Sequence, residues 1–161
     1  CGLVQEQEVA GIEQAIRRVN SNVPMIRCRH QPAGLLEHPD QECSLASLKD
    51  SRVAVVSAIG NAPALEQTVE ACGAKIVESR QLPDHDPYEP ATVQEFRDWI
   101  ESMDSRIAQV ICTHKDLVKL RTDRLGGKPL RALLIELTID SKREALDQAL
   151  ESIVVDMARR S

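Results

Sequence analysis

The sequence predicts a three-layer α/β fold, with a mostly parallel sheet covered by helices on both faces, and three observations carry that prediction. Four runs rich in apolar and β-branched residues, RVAVVS (52–57), AKIVES (74–79), IAQVIC (107–112) and LRALLIELTI (130–139), have the length of buried strands. Amphipathic helical segments over 62–72 and 92–103 separate the first three. Strands alternating with helices imply βαβ units with right-handed crossovers, in which each connecting helix packs back onto the sheet.

The elements follow in order. Residues 8–19 place Val9, Ile12, Ile16 and Val19 at helical spacing, and Asn20-Ser21-Asn22 ends the run before a short strand expected at 23–26. Pro32, Gly34 and Pro39 make 29–50 a loop-rich connector, with Leu45 and Leu48 on one helical turn. The expected organisation is therefore a connector segment over 1–50 and an α/β domain over 51–161. Gly73 closes the 62–72 helix, and Pro90 stands where a helix carrying Val93, Phe96, Trp99, Ile100 and Met103 on one face would start. A short helix with Leu117, Val118 and Leu120 is expected after Asp116, then a turn at Gly126-Gly127 into the last strand. A final helix over 141–160 opens with Ser141 as N-cap and Glu144 three residues on, the pattern of a capping box.

Composition narrows the function. A chain of 161 residues with 42% apolar and 28% charged side chains can bury one sizeable core. A net charge of -5 with one Trp, one Tyr and one Phe argues against a surface that holds nucleic acid through phosphates and stacked bases. The five cysteines show no CxxC pair and no histidine at ligand spacing, so no metal site and no disulfide framework is expected, only reduced thiols. No apolar run reaches the ~20 residues needed to span a bilayer, and no secretory leader pattern opens the sequence. The chain starts at Cys1 rather than Met, which reads as a sequence cut from a longer one.

In a parallel sheet the segments after each strand open on one edge, so Gly60-Asn61, Asp84-His85-Asp86 and Thr113-His114-Lys115-Asp116 are expected to converge there. Gly60 and Asn61 offer backbone amides at a helix start, suited to an anionic group; a plain βα turn would look the same. His85 lies between two carboxylates, which would raise its pKa and suit it either to accept a proton or, once protonated, to face phosphate as a cation; a surface loop capped by Asp84 is the alternative. Lys115 and Asp116 offer a cation for phosphate and a carboxylate for ribose or base, although helix initiation with Thr113 as N-cap accounts for the same residues. The Gly126-Gly127-Lys128-Pro129 segment is not a P-loop, because Thr122 stands at the first glycine position and Pro129 at the Ser/Thr position.

Taken together, AIGNAP (58–63), LPDHDPY (82–88) and THKDLVKL (113–120) resemble the C-terminal half of the tetraacyldisaccharide 4'-kinase family, the lipid A kinases of Gram-negative bacteria, which carry GIGNP-like, DHxxY-like and TEKDxVKL-like segments in this order. The resemblance implies a Rossmann-like sheet and an ATP- and Mg²⁺-dependent transfer of the γ-phosphoryl group to the 4'-hydroxyl of tetraacyldisaccharide 1-phosphate. It implies that His85 supports a catalytic aspartate of the N-terminal half, with Asp84 and Tyr88 flanking it, and that Thr113, Lys115 and Asp116 lie on the nucleotide side of the cleft. It also implies that the P-loop, the Mg²⁺ ligands and a membrane-associating segment belong to that N-terminal half. The fragment alone is then expected to be inactive, and the whole protein cytoplasmic and peripheral to the inner membrane.

The sequence departs from the family pattern at His114 (usually Glu), at Ala58 and Ala62 in the turn (usually Gly and Pro), at Asp86 (usually His or Gln) and at Gln5-Glu6-Gln7 (often T-R-x-D-like). Two other readings stay open: a nonenzymatic ligand-binding or regulatory α/β domain, and a flavodoxin-like domain with an unrelated ligand.

Overall fold

In the computed structural model, residues 6–84, 86–139 and 143–160 are described. The elements run α1 (Glu6–Val19), β1 (Cys28–Glu37), β2 (Gln41–Cys43), a 3-10 turn (Leu45–Leu48), β3 (Arg52–Ser57), α2 (Ala62–Ala71) and β4 (Lys75–Gln81). Then follow α3 (Pro90–Glu101), β5 (Gln109–Thr113), α4 (His114–Leu120), β6 (Arg124–Leu125), β7 (Lys128–Ile139) and α5 (Arg143–Arg160). The strands form one mixed sheet in the order β2-β1-β7-β5-β3-β4, with β6 beside β7. Its centre is parallel, β7 to β5 to β3 to β4, while the β1–β2 and β6–β7 pairs are antiparallel.

The α/β reading holds because side-chain alternation sends each central strand into two cores. Ala54, Val56, Val110, Cys112, Leu130 and Ala132 pack with Phe96, Trp99 and Ile100 of α3 and Leu117 of α4. Val53, Val55, Ile111 and Leu133 pack on the other face with Leu48 and with Leu65 and Val69 of α2. Burial on both faces is why these strands read as continuous apolar runs rather than alternating ones. At the sheet edge, Glu78 of β4 accepts hydrogen bonds from Trp99 Nε1 (3.0 Å) and Arg106 (2.9 Å), fixing α3 over that edge.

Local signals set most boundaries. Gly73 takes φ +90° just past α2, and Pro90 is the first residue of α3. β4 runs two residues beyond its expected end because its pairing with β3 continues to Ser57↔Gln81. α4 starts earlier than expected, at His114, because Thr113 and Asp116 form a reciprocal capping box. Ser141, expected to cap the last helix, lies outside the described residues.

Two expectations fail. Residues 23–26 form no strand, and the expected connector over 29–50 contains β1 and β2. Pro32 and Gly34 did not exclude a strand, since the β1–β2 pairing is confined to Leu35–Glu37 and Pro32 withholds no N–H from it. Tertiary burial of Leu35 and Leu36 outweighs the breaker residues upstream.

The chain divides into two compact units, Pro32–Glu136 and the residues Cys1–Gln31 with Leu137–Ser161. In the second, Arg27 pairs with Glu13 (2.7 Å) and Glu6 (3.0 Å), and Thr138 Oγ1 donates to Gln31 Oε1 (3.1 Å).

Gly126 in the Gly126-Gly127 turn packs into the core, while Gly127 is exposed. A Cβ at Gly126 would stand 2.6 Å from both the Arg97 carbonyl oxygen and Ile100 Cβ, and its φ is +52°. Gly126→Ala is therefore expected to destabilise the chain by about 2–4 kcal/mol, from left-handed strain plus overpacking, measured by urea denaturation. A loss below about 1 kcal/mol would show that α3 yields without cost.

Candidate functional site

Three βα segments meet at the C-terminal edge of the parallel strands, and Asp116 ties two of them together. Its side chain is fully buried. Oδ1 accepts from the Ala58 backbone N–H (3.3 Å), just past β3, while Oδ2 accepts from Thr113 Oγ1 (2.6 Å) and the Thr113 N–H (3.3 Å), at the end of β5. The third segment is held from two sides. Leu82 N donates to Ser57 O (2.8 Å) and Gln81 Nε2 to Ile59 O (3.0 Å), and a Cβ on Gly60 would lie only 3.5 Å from Asp84 Oδ2. From α4, Lys119 Nζ donates to the Asp86 carbonyl (2.6 Å) and sits 5.8 Å over the Tyr88 ring.

Tyr88 is the strained member of this group. It takes φ +59°, unusual for a residue with a side chain, and an Asx turn holds it there, Asp86 Oδ1 accepting from its N–H (2.8 Å). Its ring packs edge-on against Phe96, and its hydroxyl is buried without a hydrogen-bond partner among the described residues. Burial, reinforced by the nearby Asp116 carboxylate, raises the phenol pKa far above its ordinary value, so Tyr88 stays a neutral OH. Burial likewise pushes the neighbouring Cys112 thiol up, which removes it as a nucleophile.

The open side of the cluster is a concavity of about 420 Å³ lined by Ala58, His114, Lys115, Val118 and Lys119. Gly60, Asn61, Asp84, His114 and Lys115 are exposed along this edge. Asn61 spends its side-chain oxygen capping α2, accepting from Ala64 N at 3.2 Å, and Thr113 spends its hydroxyl in the capping box. Lys115 makes no ion pair among the described residues and is exposed. His85 lies outside the described residues. Of the site candidates, Asp116 and Tyr88 are thus interior residues, whereas Gly60, Asp84 and Lys115 face solvent. Sequence reasoning passed over Lys119 and Val118. The signal for Lys119 was its i+4 spacing from Lys115, which puts both ammonium groups on one face of α4.

A family model described as tetraacyldisaccharide-1-P 4'-kinase matches residues 3–155. The chain belongs to this family. It is similar to the tetraacyldisaccharide 4'-kinase of Rhodopseudomonas palustris, 30% identical over 131 residues, covering 81% of this chain and 36% of the relative. It is similar also to that of Rhodospirillum centenum, 31% identical over 116 residues, covering 72% and 32%. The crystal structure of Aquifex aeolicus LpxK in complex with ATP shares the fold, with a TM-score of 0.55 at 20% identity over 85% of this chain and 40% of that one. The chain spans about a third of the length of these tetraacyldisaccharide 4'-kinases.

The described residues by themselves supply neither a metal-holding cluster nor a phosphate loop. Among the described residues no three His, Cys, Asp or Glu side chains group closely enough to hold a metal ion. The glycine turn that most resembles a phosphate loop packs on α3, and its Lys128 is paired with Asp104 (2.7 Å). No helix among the described residues is long and apolar enough to cross a membrane.

Proposed function

We propose that this chain forms one wall of the catalytic cleft of a tetraacyldisaccharide 4'-kinase, which transfers the γ-phosphoryl group of ATP to the 4'-hydroxyl of tetraacyldisaccharide 1-phosphate in lipid A biosynthesis. The observation that carries the reading is the clustering of 58–61, 82–84 with 86–88, and 113–119 on one sheet edge, knit by Asp116 and Lys119. Family membership supplies the reaction.

In this reading the P-loop and the Mg²⁺ ligands lie on the part of the family polypeptide that this chain does not span. The whole protein works at the cytoplasmic face of the inner membrane, with residues 51–161 as its C-terminal domain and 1–50 as the connector. The chain's own contribution is electrostatic and positional. Phosphoryl transfer is governed by charge stabilisation and alignment, and Lys115, with Lys119 beside it, presents positive charge to a phosphate of nucleotide or lipid. Gly60, without a side chain, lets a substrate group approach the backbone closely, next to Asp84. His85 orients an aspartate base on the facing wall, so that the base takes the proton of the 4'-hydroxyl. Asp116, Thr113, Asn61 and Tyr88 hold these groups in place from beneath.

One observation favours the alternative of a nonenzymatic binding or regulatory domain: the polar atoms of Asn61, Thr113 and Asp116 are all used internally. A transfer assay separates the two. The isolated chain is expected to show no ATP-dependent transfer. A chimera in which it replaces the matching third of the Rhodopseudomonas palustris kinase is expected to turn over, and Lys115→Ala in that chimera to raise the KM of one phosphate-bearing substrate about 10-fold, the loss of one charge-assisted contact. Turnover by the isolated chain, or a chimera that folds but transfers nothing, would overturn the proposal.

A further inference from the structure

Lys119 is engaged on two sides. Its side chain lines the concavity with His114, Lys115 and Val118, and its Nζ donates to the Asp86 carbonyl at 2.6 Å while lying 5.8 Å over the Tyr88 ring. The turn it holds is a costly one. Tyr88 takes φ +59°, a region that residues with side chains seldom enter, and its buried hydroxyl has no hydrogen-bond partner among the described residues. Such a conformation persists only while its surroundings impose it. Here they do so through the packing of the ring on Phe96, through Asp86 Oδ1, which accepts from the Tyr88 N–H (2.8 Å), and through the ammonium of Lys119.

On the side of the concavity the same ammonium has a like-charged neighbour. Lys115 and Lys119 stand four residues apart on α4, a spacing at which like charges repel, and Asp116 between them in sequence is buried away from that face. A phosphate group in the concavity relieves that repulsion, and its full negative charge attracts an ammonium more strongly than a carbonyl dipole does. We propose that Lys119 is a positioning residue shared between ligand and turn: a phosphate group bound in the concavity draws its ammonium off the Asp86 carbonyl and frees the Asp86–Tyr88 turn. The phosphate binds the freed state better because only that state gives it both lysines, which is the differential affinity a ligand needs to shift a conformation. The inference rests on the reading that the concavity takes a phosphate of nucleotide or lipid. The turn directly follows His85 in the sequence, so occupancy of the concavity is passed to the segment assigned to orient the base.

Amide exchange tests the coupling without reference to turnover. Tyr88 is the only tyrosine, so the chain labelled with ¹⁵N-tyrosine gives one amide signal, and ¹⁵N-lysine labelling follows Lys115 as a monitor of binding. Inorganic phosphate, added against sodium chloride at equal ionic strength, is expected to shift the Lys115 signal and to speed Tyr88 exchange about 10-fold, the loss of one charge-assisted contact. Lys119→Met is expected to exchange at the faster rate from the start and to ignore phosphate, whereas Lys119→Arg keeps the slow rate and the response. The phosphate response is read in the natural chain, so it decides even if Lys119→Met does not fold. ATP and glucosamine 1-phosphate, titrated separately, distinguish the source: the one that speeds exchange at the lower concentration is the ligand whose phosphate Lys119 meets. A shift at Lys115 with Tyr88 exchange unchanged or slowed would overturn the coupling and leave the phosphate-facing concavity standing. No shift at Lys115 with any of the three would sink both. Equal exchange in Lys119→Met and the parent would show that the ammonium does not hold the turn.

Discussion

Asp116→Ala is expected to lower the stability of the chain by about 3–5 kcal/mol, the largest loss from any single polar side chain described. The carboxylate is fully buried and accepts from Ala58 N, Thr113 N and Thr113 Oγ1. Truncation orphans two backbone N–H groups, a buried one at Ala58 and a part-buried one at Thr113, each worth roughly 1–3 kcal/mol, and removes half of the α4 capping box. Against a typical total of about 5–15 kcal/mol this is a large share, and it corresponds to a fall in Tm on the order of 10 °C. Asp116→Asn keeps one acceptor oxygen but turns an amide N–H₂ toward a donor, so an intermediate loss is expected. Thr113→Val, which keeps the Asp116 acceptor, should lose about 1–2 kcal/mol. Urea unfolding of the three variants checks the order, and an Asp116→Ala loss under about 1 kcal/mol would show that the carboxylate does not hold the edge together.

His85→Ala in the chimeric kinase is expected to reduce kcat on the order of 10²-fold with an unchanged melting midpoint. Proton transfer by a positioned base contributes about 10²–10⁴-fold, and a residue that acts by orienting that base falls at the low end of the range. The pH–rate profile separates orientation from scaffolding: if His85 tunes the base, the acidic limb of kcat moves when the imidazole is removed, while loss of a scaffold lowers the whole profile without moving it. Turnover within twofold of the parent would remove His85 from the mechanism and favour the nonenzymatic alternative.

Much of the site's layout was readable because it rests on local chemistry. Thr113 suits an N-cap, Gly60-Asn61 stands at a helix start, and both segments follow apolar strands, so a parallel sheet places them on one edge. What Asp116 does beyond its own helix was not readable. The bond to Ala58 spans 58 residues of sequence, and no local pattern distinguishes a carboxylate buried by the fold from one offered to a ligand. Tyr88 repeats the point: the motif marks it as a site residue, but only packing shows its hydroxyl to be interior and its backbone left-handed.

By itself, the sequence determined the α/β class, the buried central strands and the helix start at Pro90, because periodicity, capping and β-branching act within a few residues. Tertiary structure alone decided that β1 and β2 form despite Pro32 and Gly34, that Gly126 must lack a side chain against Ile100, and that Asp116 is a buried brace while Lys115 is exposed. It also decided that the α1 stripe lies open. Burial and hydrogen-bond partnership are properties of residues far apart in the chain, and they exist only once the sheet has closed over them.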